Sequence, residues 1–182
     1  ESLGIPCFEV ATLPASVPGC RLEAALRRYL QLKQVDIVLS VRLRSASVSK
    51  RGVELADAED RRFEARTAIV ATGGVLMGGL DVQSTGRVRE PLFDLAVEQT
   101  EPLSATSIDA TLEALHRTGV RTNTTLNPFT QDGTLLENIF VTGQTLCGFN
   151  PSYEGSAEGV AIASGWSAAR FAHATLGELA HA

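Results

Sequence analysis

The sequence is poor in every feature that would commit it to a membrane, a metal or a disulfide framework. Its longest charge-free apolar stretch, Thr67 to Leu80, is 14 residues long and is broken by four glycines. A helical bilayer span needs roughly 18–20 apolar residues, so none is expected. No basic segment leading into an apolar run marks a signal peptide. The three cysteines, Cys7, Cys20 and Cys147, are an odd number at no metal-ligand spacing. They are expected as reduced thiols of a cytosolic protein, each buried as a small hydrophobe. No G-x-S-x-G, H-E-x-x-H or P-loop occurs, which removes those routes to hydrolysis, zinc chemistry and nucleotide binding. The only methionine is Met77, so Glu1 is not expected to be a translational start.

What remains suits a globular α/β chain. Of 182 residues, 44% are apolar and 20% charged, and the formal net charge is -5. That length is typical of one domain and sufficient to bury a core without staples. The acidic balance argues against duplex nucleic acid as a partner. Residues 1–66 carry 11 basic and 9 acidic side chains, residues 67–182 only 5 and 12. The shift near residue 67 coincides with a change of pattern.

Pro6–Val10 reads as a strand, and Leu13–Gly19 as a loop whose two prolines exclude a helix there. A helix is expected from Arg21 to about Leu32, with Leu22, Leu26, Tyr29 and Leu30 packed on a sheet. From Val35 to Ala71 the period becomes two. Breaks at Ser49–Gly52 and Asp57–Asp60 divide this stretch into an antiparallel meander of three strand-like runs. The last run ends in Thr67-Ala68-Ile69-Val70-Ala71, which fits a parallel strand buried on both faces. Asp81–Glu101 reads as irregular, with Arg87 and Arg89 as solvated loop charges. A helix follows from Ser107 or Asp109 to Arg117, with Leu112 and Leu115 inward and Gly119 ending it. After a polar loop, Arg121–Thr134, come a strand at Asn138–Thr142 and a last helix at about Ser156–Leu176. His116, His173 and His181 show no acid to orient them, so none is expected to be a catalytic base.

Two apolar strands run straight into glycine: Ile69-Val70-Ala71-Thr72-Gly73-Gly74 and Ile139-Phe140-Val141-Thr142-Gly143-Gln144. In an open α/β sheet, ligands bind outside such carboxyl ends. The second strand is followed by a glycine-containing helix start, Gly155-Ser156-Ala157-Glu158-Gly159-Val160. The free N–H groups of a helix N-terminus favour negative charge. Glycine inside a helix costs about 1 kcal/mol against alanine, so something should approach that backbone closely, either a neighbouring strand or a cofactor.

The run Asp60–Gly74 resembles the strand and Ala-Thr-Gly turn that follow the meander in two-dinucleotide-binding-domain flavoproteins. Glu137–Gln144, with the glycine-rich helix after it, resembles their second flavin-contacting segment. More narrowly, Leu13–Gly19, Gly74–Leu80, Arg89–Leu95 and Gly148-Phe149-Asn150-Pro151 are similar to the B subunits of anaerobic glycerol-3-phosphate dehydrogenases. The resemblance implies a Rossmann-like FAD/NAD(P)-binding fold with an antiparallel meander. Residues 1–80 would form the strand, helix, meander and Ala-Thr-Gly-Gly strand, 81–135 an irregular and helical insert, and 136–182 the C-terminal flavin-contacting strand and helix. The G-x-G-x-x-G unit that normally holds the ADP half of FAD is absent, which suggests part of a longer subunit, inactive alone.

The flavin implied is FAD or FMN. Thr72, Gly73, Gly74, Gly143, Gln144, Gly155, Gly159 and Val160 would contact it, the amides around Gly159 and Val160 facing its pyrimidine carbonyl. Gln144 replaces an acid common in relatives, and Glu158 replaces a glycine. The family oxidises sn-glycerol 3-phosphate to dihydroxyacetone phosphate. Its partners are a catalytic A subunit and an iron–sulfur C subunit that passes electrons to quinone, so a cytoplasmic location peripheral to the inner membrane is implied. The alternatives are a scaffold that keeps the fold without the cofactor, and a flavoprotein of the fumarate-reductase type.

Overall fold

The computed structural model describes residues 16–99 and 107–179. The chain divides into two compact units, Glu1–Val41 and Arg42–Ala182. The strand expected at Pro6–Val10, with Cys7, lies outside the described residues, as does His181. In the first unit, α1 spans Val17–Leu32 and so begins earlier than its apolar spacing suggests. Pro18 sits in its first turn, where a missing N–H costs nothing and the fixed φ suits a helix. Ser16 caps it by accepting the Gly19 N–H at 3.2 Å. No residue of α1 is buried, and Leu22 is 62% exposed. Cys20, on the same helix, is exposed rather than buried. Val35–Val41 forms no strand, because Gln34 and Ser40 take positive φ values of 57° and 58° and break the extended alternation.

The second unit opens with the meander. Strands β1 (Leu43–Ser49), β2 (Gly52–Asp57) and β3 (Arg62–Ala65) form an antiparallel sheet in that order. Its turns fall at the polar breaks. Asp57 organises the second turn by accepting the Glu59 and Arg61 N–H groups at 2.8 and 3.0 Å and the Arg61 Nε at 2.6 Å. Burial alone would raise its pKa, but these bonds outweigh that and hold the carboxyl below its ordinary range.

The chain then leaves the meander for β4 (Ala68–Val70), which pairs in parallel with β9 (Ile139–Val141), Val70 opposite Val141. β9, rather than β4, is the strand buried on both faces. Ile139 and Val141 join Val53, Val70, Leu80, Leu95 and Val120 in one core cluster, whereas Phe140 packs on Ala168 and Ala172 of α4 (Ala157–Leu179). Ile69 of β4 remains 43% exposed. Ser164, Ala168 and Ala172 recur every four residues on α4, so the stripe toward β9 is small and the helix comes close to the strand. Buried Asn138 ties this pair to the meander, its amide donating to the Ser49 and Arg66 carbonyls at 3.1 and 3.4 Å.

The stretch expected to be irregular contains three two-residue strands. β5 (Asp81–Val82) pairs with β6 (Val88–Arg89), and β7 (Val97–Glu98) with β8 (Gly119–Val120), all antiparallel. Two residues are too few to show a period. Between them, α2 (Ile108–Arg117) is capped by Ser107, which accepts the Ala110 N–H at 3.1 Å. It ends at Arg117, as expected, with Thr118 rather than Gly119 as its cap. Gly119 instead opens β8, where a Cβ would lie 2.4 Å from the Leu146 carbonyl. In the Arg89–Leu95 run, Glu90 is 2% exposed and accepts the Leu92 and Phe93 N–H groups at 3.1 and 2.7 Å. Arg89 pairs with Asp81 at 3.6 Å. That run is therefore a structural corner.

Glu90→Ala should lower stability by about 1–3 kcal/mol in urea unfolding, because two amides lose their acceptor. Burial raises the Glu90 pKa above its ordinary 4.5. The protonated form therefore favours the fold, and this contribution is lost as pH rises from there through the folded pKa. Glu90→Gln should flatten that part of the stability–pH curve.

Candidate functional site

Parallel pairing brings the carboxyl ends of β4 and β9 side by side, and the ladder continues as far as Thr142, whose N–H donates to the Val70 carbonyl at 3.0 Å. Beyond it each strand turns at glycine, Gly73 with φ +83° and Gly143 with φ +66°. Such values favour glycine. The two turns are joined by fully buried Thr145. Its hydroxyl accepts the Gly73 N–H at 3.0 Å and donates to the Gly73 carbonyl at 3.2 Å. The second turn is fixed to α4 through Ser164, which donates to the Val160 carbonyl at 2.5 Å. With its one proton so used, its oxygen accepts from the Thr142 hydroxyl at 2.7 Å and the Gly143 N–H at 2.9 Å.

The glycines now separate by cause. At Gly74 a Cβ would stand 3.1 Å from the Gln144 carbonyl, and at Gly79 one would stand 2.1 Å from the Gly73 carbonyl. These two record close packing of the turns. Gly155 takes φ +63° as the cap of the short helix α3 (Pro151–Glu154). Gly165 meets only an ordinary contact, 3.7 Å from the Thr142 hydroxyl. Gly159 has neither strain nor crowding: a Cβ there meets nothing within 4 Å. The same holds for Gly177, but that residue lies in the last turn of α4, whereas Gly159 lies in the first. A neighbouring strand therefore does not explain Gly159.

Around Gly159 the helix start is open. The Val160 N–H is already given to the Ser156 carbonyl at 2.8 Å, so it is not available to a ligand. The amides of residues 157–159 are the ones a helix leaves without an internal acceptor. Glu158 is exposed on this turn, where a carboxylate suits the helix dipole. Beside the two turns lies a cavity of about 220 Å³, lined among others by Gly74 and Gln144, by Val75, Leu76 and Met77, and by His116 of α2. Thr72 and Gln144 are both exposed.

The FAD binding domain family matches residues 3–160. The chain belongs to that family. Its flavin is FAD, which decides between the two flavins expected. A probable anaerobic glycerol-3-phosphate dehydrogenase B subunit of Halobacterium salinarum is 33% identical over 175 residues, covering 92% of this chain and 41% of that protein. The anaerobic glycerol-3-phosphate dehydrogenase B subunit of Vibrio cholerae is 31% identical over 170 residues, covering 88% and 38%. The chain thus spans about two-fifths of the length of the curated relatives it matches. The solved structure of a bacillithiol disulfide reductase of Staphylococcus aureus aligns over 92% of this chain and 76% of its own, at 14% identity and a TM-score of 0.43.

The residues present fit a bound FAD. The open helix start and Gly159 leave space where a Cβ would otherwise stand, and the first-turn amides supply donors without a competing cation. The structure brings Thr72–Gly74, Gly143 and Gln144 together, as their spacing after the two strands implies. Sequence reasoning misses His116 as a lining residue, since only the turn from α2 into β8 carries it to the cavity, and no local motif records that. Cys147 is half-buried and donates to a Glu98 carboxylate oxygen at 3.5 Å; burial, with the Glu98 charge, pushes its thiol up to about 11. It is therefore a poor nucleophile at neutral pH. Among the described residues no group of His, Cys, Asp and Glu is placed to hold a metal.

Thr145→Val keeps the shape but leaves the Gly73 amide without its partner, and should cost about 1–3 kcal/mol in urea unfolding. Gly159→Ala should raise the stability of the cofactor-free protein by up to about 1 kcal/mol, since nothing obstructs the methyl. The same change should lower the amount of FAD bound, measured by absorbance after gel filtration.

Proposed function

We propose that this chain is the flavin-contacting part of the B subunit of an anaerobic glycerol-3-phosphate dehydrogenase. The observation that supports it most is the joining of the β4 and β9 turns through Thr145 and of the second turn to α4 through Ser164, in a chain whose relatives bear that name. Thr72, Gly73 and Gly74 would line one side of the flavin chain, and Gly143 and Gln144 the other. The amides of residues 157–159 would face the carbonyl edge of the ring, where N–H donors stabilise developing negative charge. Val160 contributes its side of the helix rather than its amide. Gly155 shapes the loop before α4. Bound flavin supplies the two-electron redox chemistry, and the chain positions and tunes it.

In this reading the complex removes two electrons and two protons from the C2 carbinol of sn-glycerol 3-phosphate and releases dihydroxyacetone phosphate. A catalytic A subunit and an iron–sulfur C subunit complete the assembly, and the electrons pass to quinone. Attachment to the cytoplasmic side of the inner membrane runs through those partners. None of the described helices is long and apolar enough to cross a bilayer.

The full-length protein assembled with its partners should carry an FAD absorbance that glycerol 3-phosphate bleaches under anaerobic conditions. A protein that stays colourless after reconstitution with FAD contradicts the reading and favours a cofactor-free scaffold. An assembly that reduces fumarate and ignores glycerol 3-phosphate contradicts the substrate.

A further inference from the structure

The meander has two edges of unequal character. β3 is four residues long and carries Arg62 and Glu64, charges of the kind that keep an edge from pairing. β1 carries Ser45-Ala46-Ser47-Val48 through its middle, with neither charge nor proline. Among the described residues it pairs with β2 alone. The Ser49 carbonyl is taken by the Asn138 amide at 3.1 Å, so the open part of the edge runs from Leu43 to Val48. Alternate N–H and C=O groups of that stretch face away from β2, as in any antiparallel pair, and no other described strand meets them.

The charges around this edge are all of one sign. Arg42 and Arg44 stand at its start, Lys50 and Arg51 just beyond its end, and all four are exposed. No acid occurs between Asp36 and Glu54. The acids of β2 turn the other way: Glu54 holds Arg62 at 2.7 Å and Asp57 holds Arg61 at 2.6 Å. No ion pair among the described residues includes Arg42, Arg44, Lys50 or Arg51. On the sheet face opposite buried Val53, Ser47 and Ser49 border a groove of about 540 Å³. Its cations are Arg51 and Arg66, and its acids, Glu54 and Glu64, lie on β2 and β3 rather than at the β1 edge. On the other face Ala46 and Val48 are only half-buried.

We propose that the β1 edge binds an extended acidic segment of another polypeptide, which adds a fourth strand to the meander. Backbone bonding would supply the affinity, and acids at the two ends of the segment would meet the basic flanks and fix its register. Aliphatic side chains between those acids would cover Ala46 and Val48. A second copy of this chain is a poor occupant. Whether two β1 strands paired parallel or antiparallel, each basic flank would meet a basic flank, and like charges opposite one another destabilise a pair. A bilayer surface would use the cations but not the strand groups between them. The proposal is independent of the flavin reading.

The test uses the full-length protein and a fluorescein-labelled decapeptide of alternating glutamate and valine, followed by fluorescence anisotropy. One control replaces glutamate by lysine; the other is the acidic peptide N-methylated at every backbone amide, which keeps the charge and loses the strand donors. The acidic peptide alone should bind, more weakly as salt rises. Combining Arg44→Glu with Lys50→Glu should weaken it about tenfold. In wild type the bound peptide should slow hydrogen exchange across residues 43–48 and leave β3 unchanged, a readout that no variant's folding affects. Equal binding of the N-methylated peptide, unchanged affinity in the double variant, or no slowing at 43–48 overturns the proposal. So does a dimer that slows the same amides without peptide, which assigns the edge to a second copy. Phosphatidylglycerol vesicles that bind the protein and displace the peptide assign the basic flanks to lipid and overturn it as well.

Discussion

A buried threonine hydroxyl holds the two halves of the candidate site together. Thr145 grips both the N–H and the carbonyl of Gly73, and through that grip the turn after β4 and the turn after β9 become one surface. The strands are joined in sequence only by the long segment between residues 71 and 138. Their parallel register sets the distance between the turns, and Thr145 sets their relative orientation. Ser164 then extends the same frame to α4, since it binds Thr142, Gly143 and the Val160 carbonyl together. Helix start, first turn and second turn are positioned by these short contacts, each with its polar groups satisfied. No buried side-chain nitrogen or oxygen among the described residues lacks a partner.

The fold serves this frame from both sides. β9 contributes Ile139 and Val141 to the cluster beneath the meander and Phe140 to the cluster beneath α4, so one three-residue strand joins two cores. The small residues on α4 follow from that: a helix that must lie close to a strand carries Ser164, Ala168 and Ala172 on its inner face. Glu90 and Asn138 do a different task. They brace corners with buried polar groups, and the Arg89–Leu95 run takes part in this bracing through Glu90.

Local signals make part of this legible in the sequence. The β4 and β9 strands, their glycine turns, the Ser107 cap and the last helix are each written in a few adjacent residues, and the structure places them there. What escapes depends on distant parts of the chain. The alternation at Val35–Val41 reads as a strand, yet positive φ at Gln34 and Ser40 breaks it. The paired residues at 81–82, 88–89, 97–98 and 119–120 are too short for any periodicity. Pro18 reads as a bar to helix, yet it opens one. The glycines of the site look alike in sequence. Only their surroundings separate Gly74 and Gly79, which make room for neighbouring backbone, from Gly159, which faces open space.

The turns at 72–74 and 143–145 and the helix start at 157–159 are proposed to form one flavin-binding surface. Hydrogen exchange of the full-length protein, with and without saturating FAD, tests it at the level of single segments. Slowed exchange is expected in all three segments together, with the β1–β3 meander unchanged. Protection confined to the meander, or absent from the 157–159 start while FAD is bound, would contradict it.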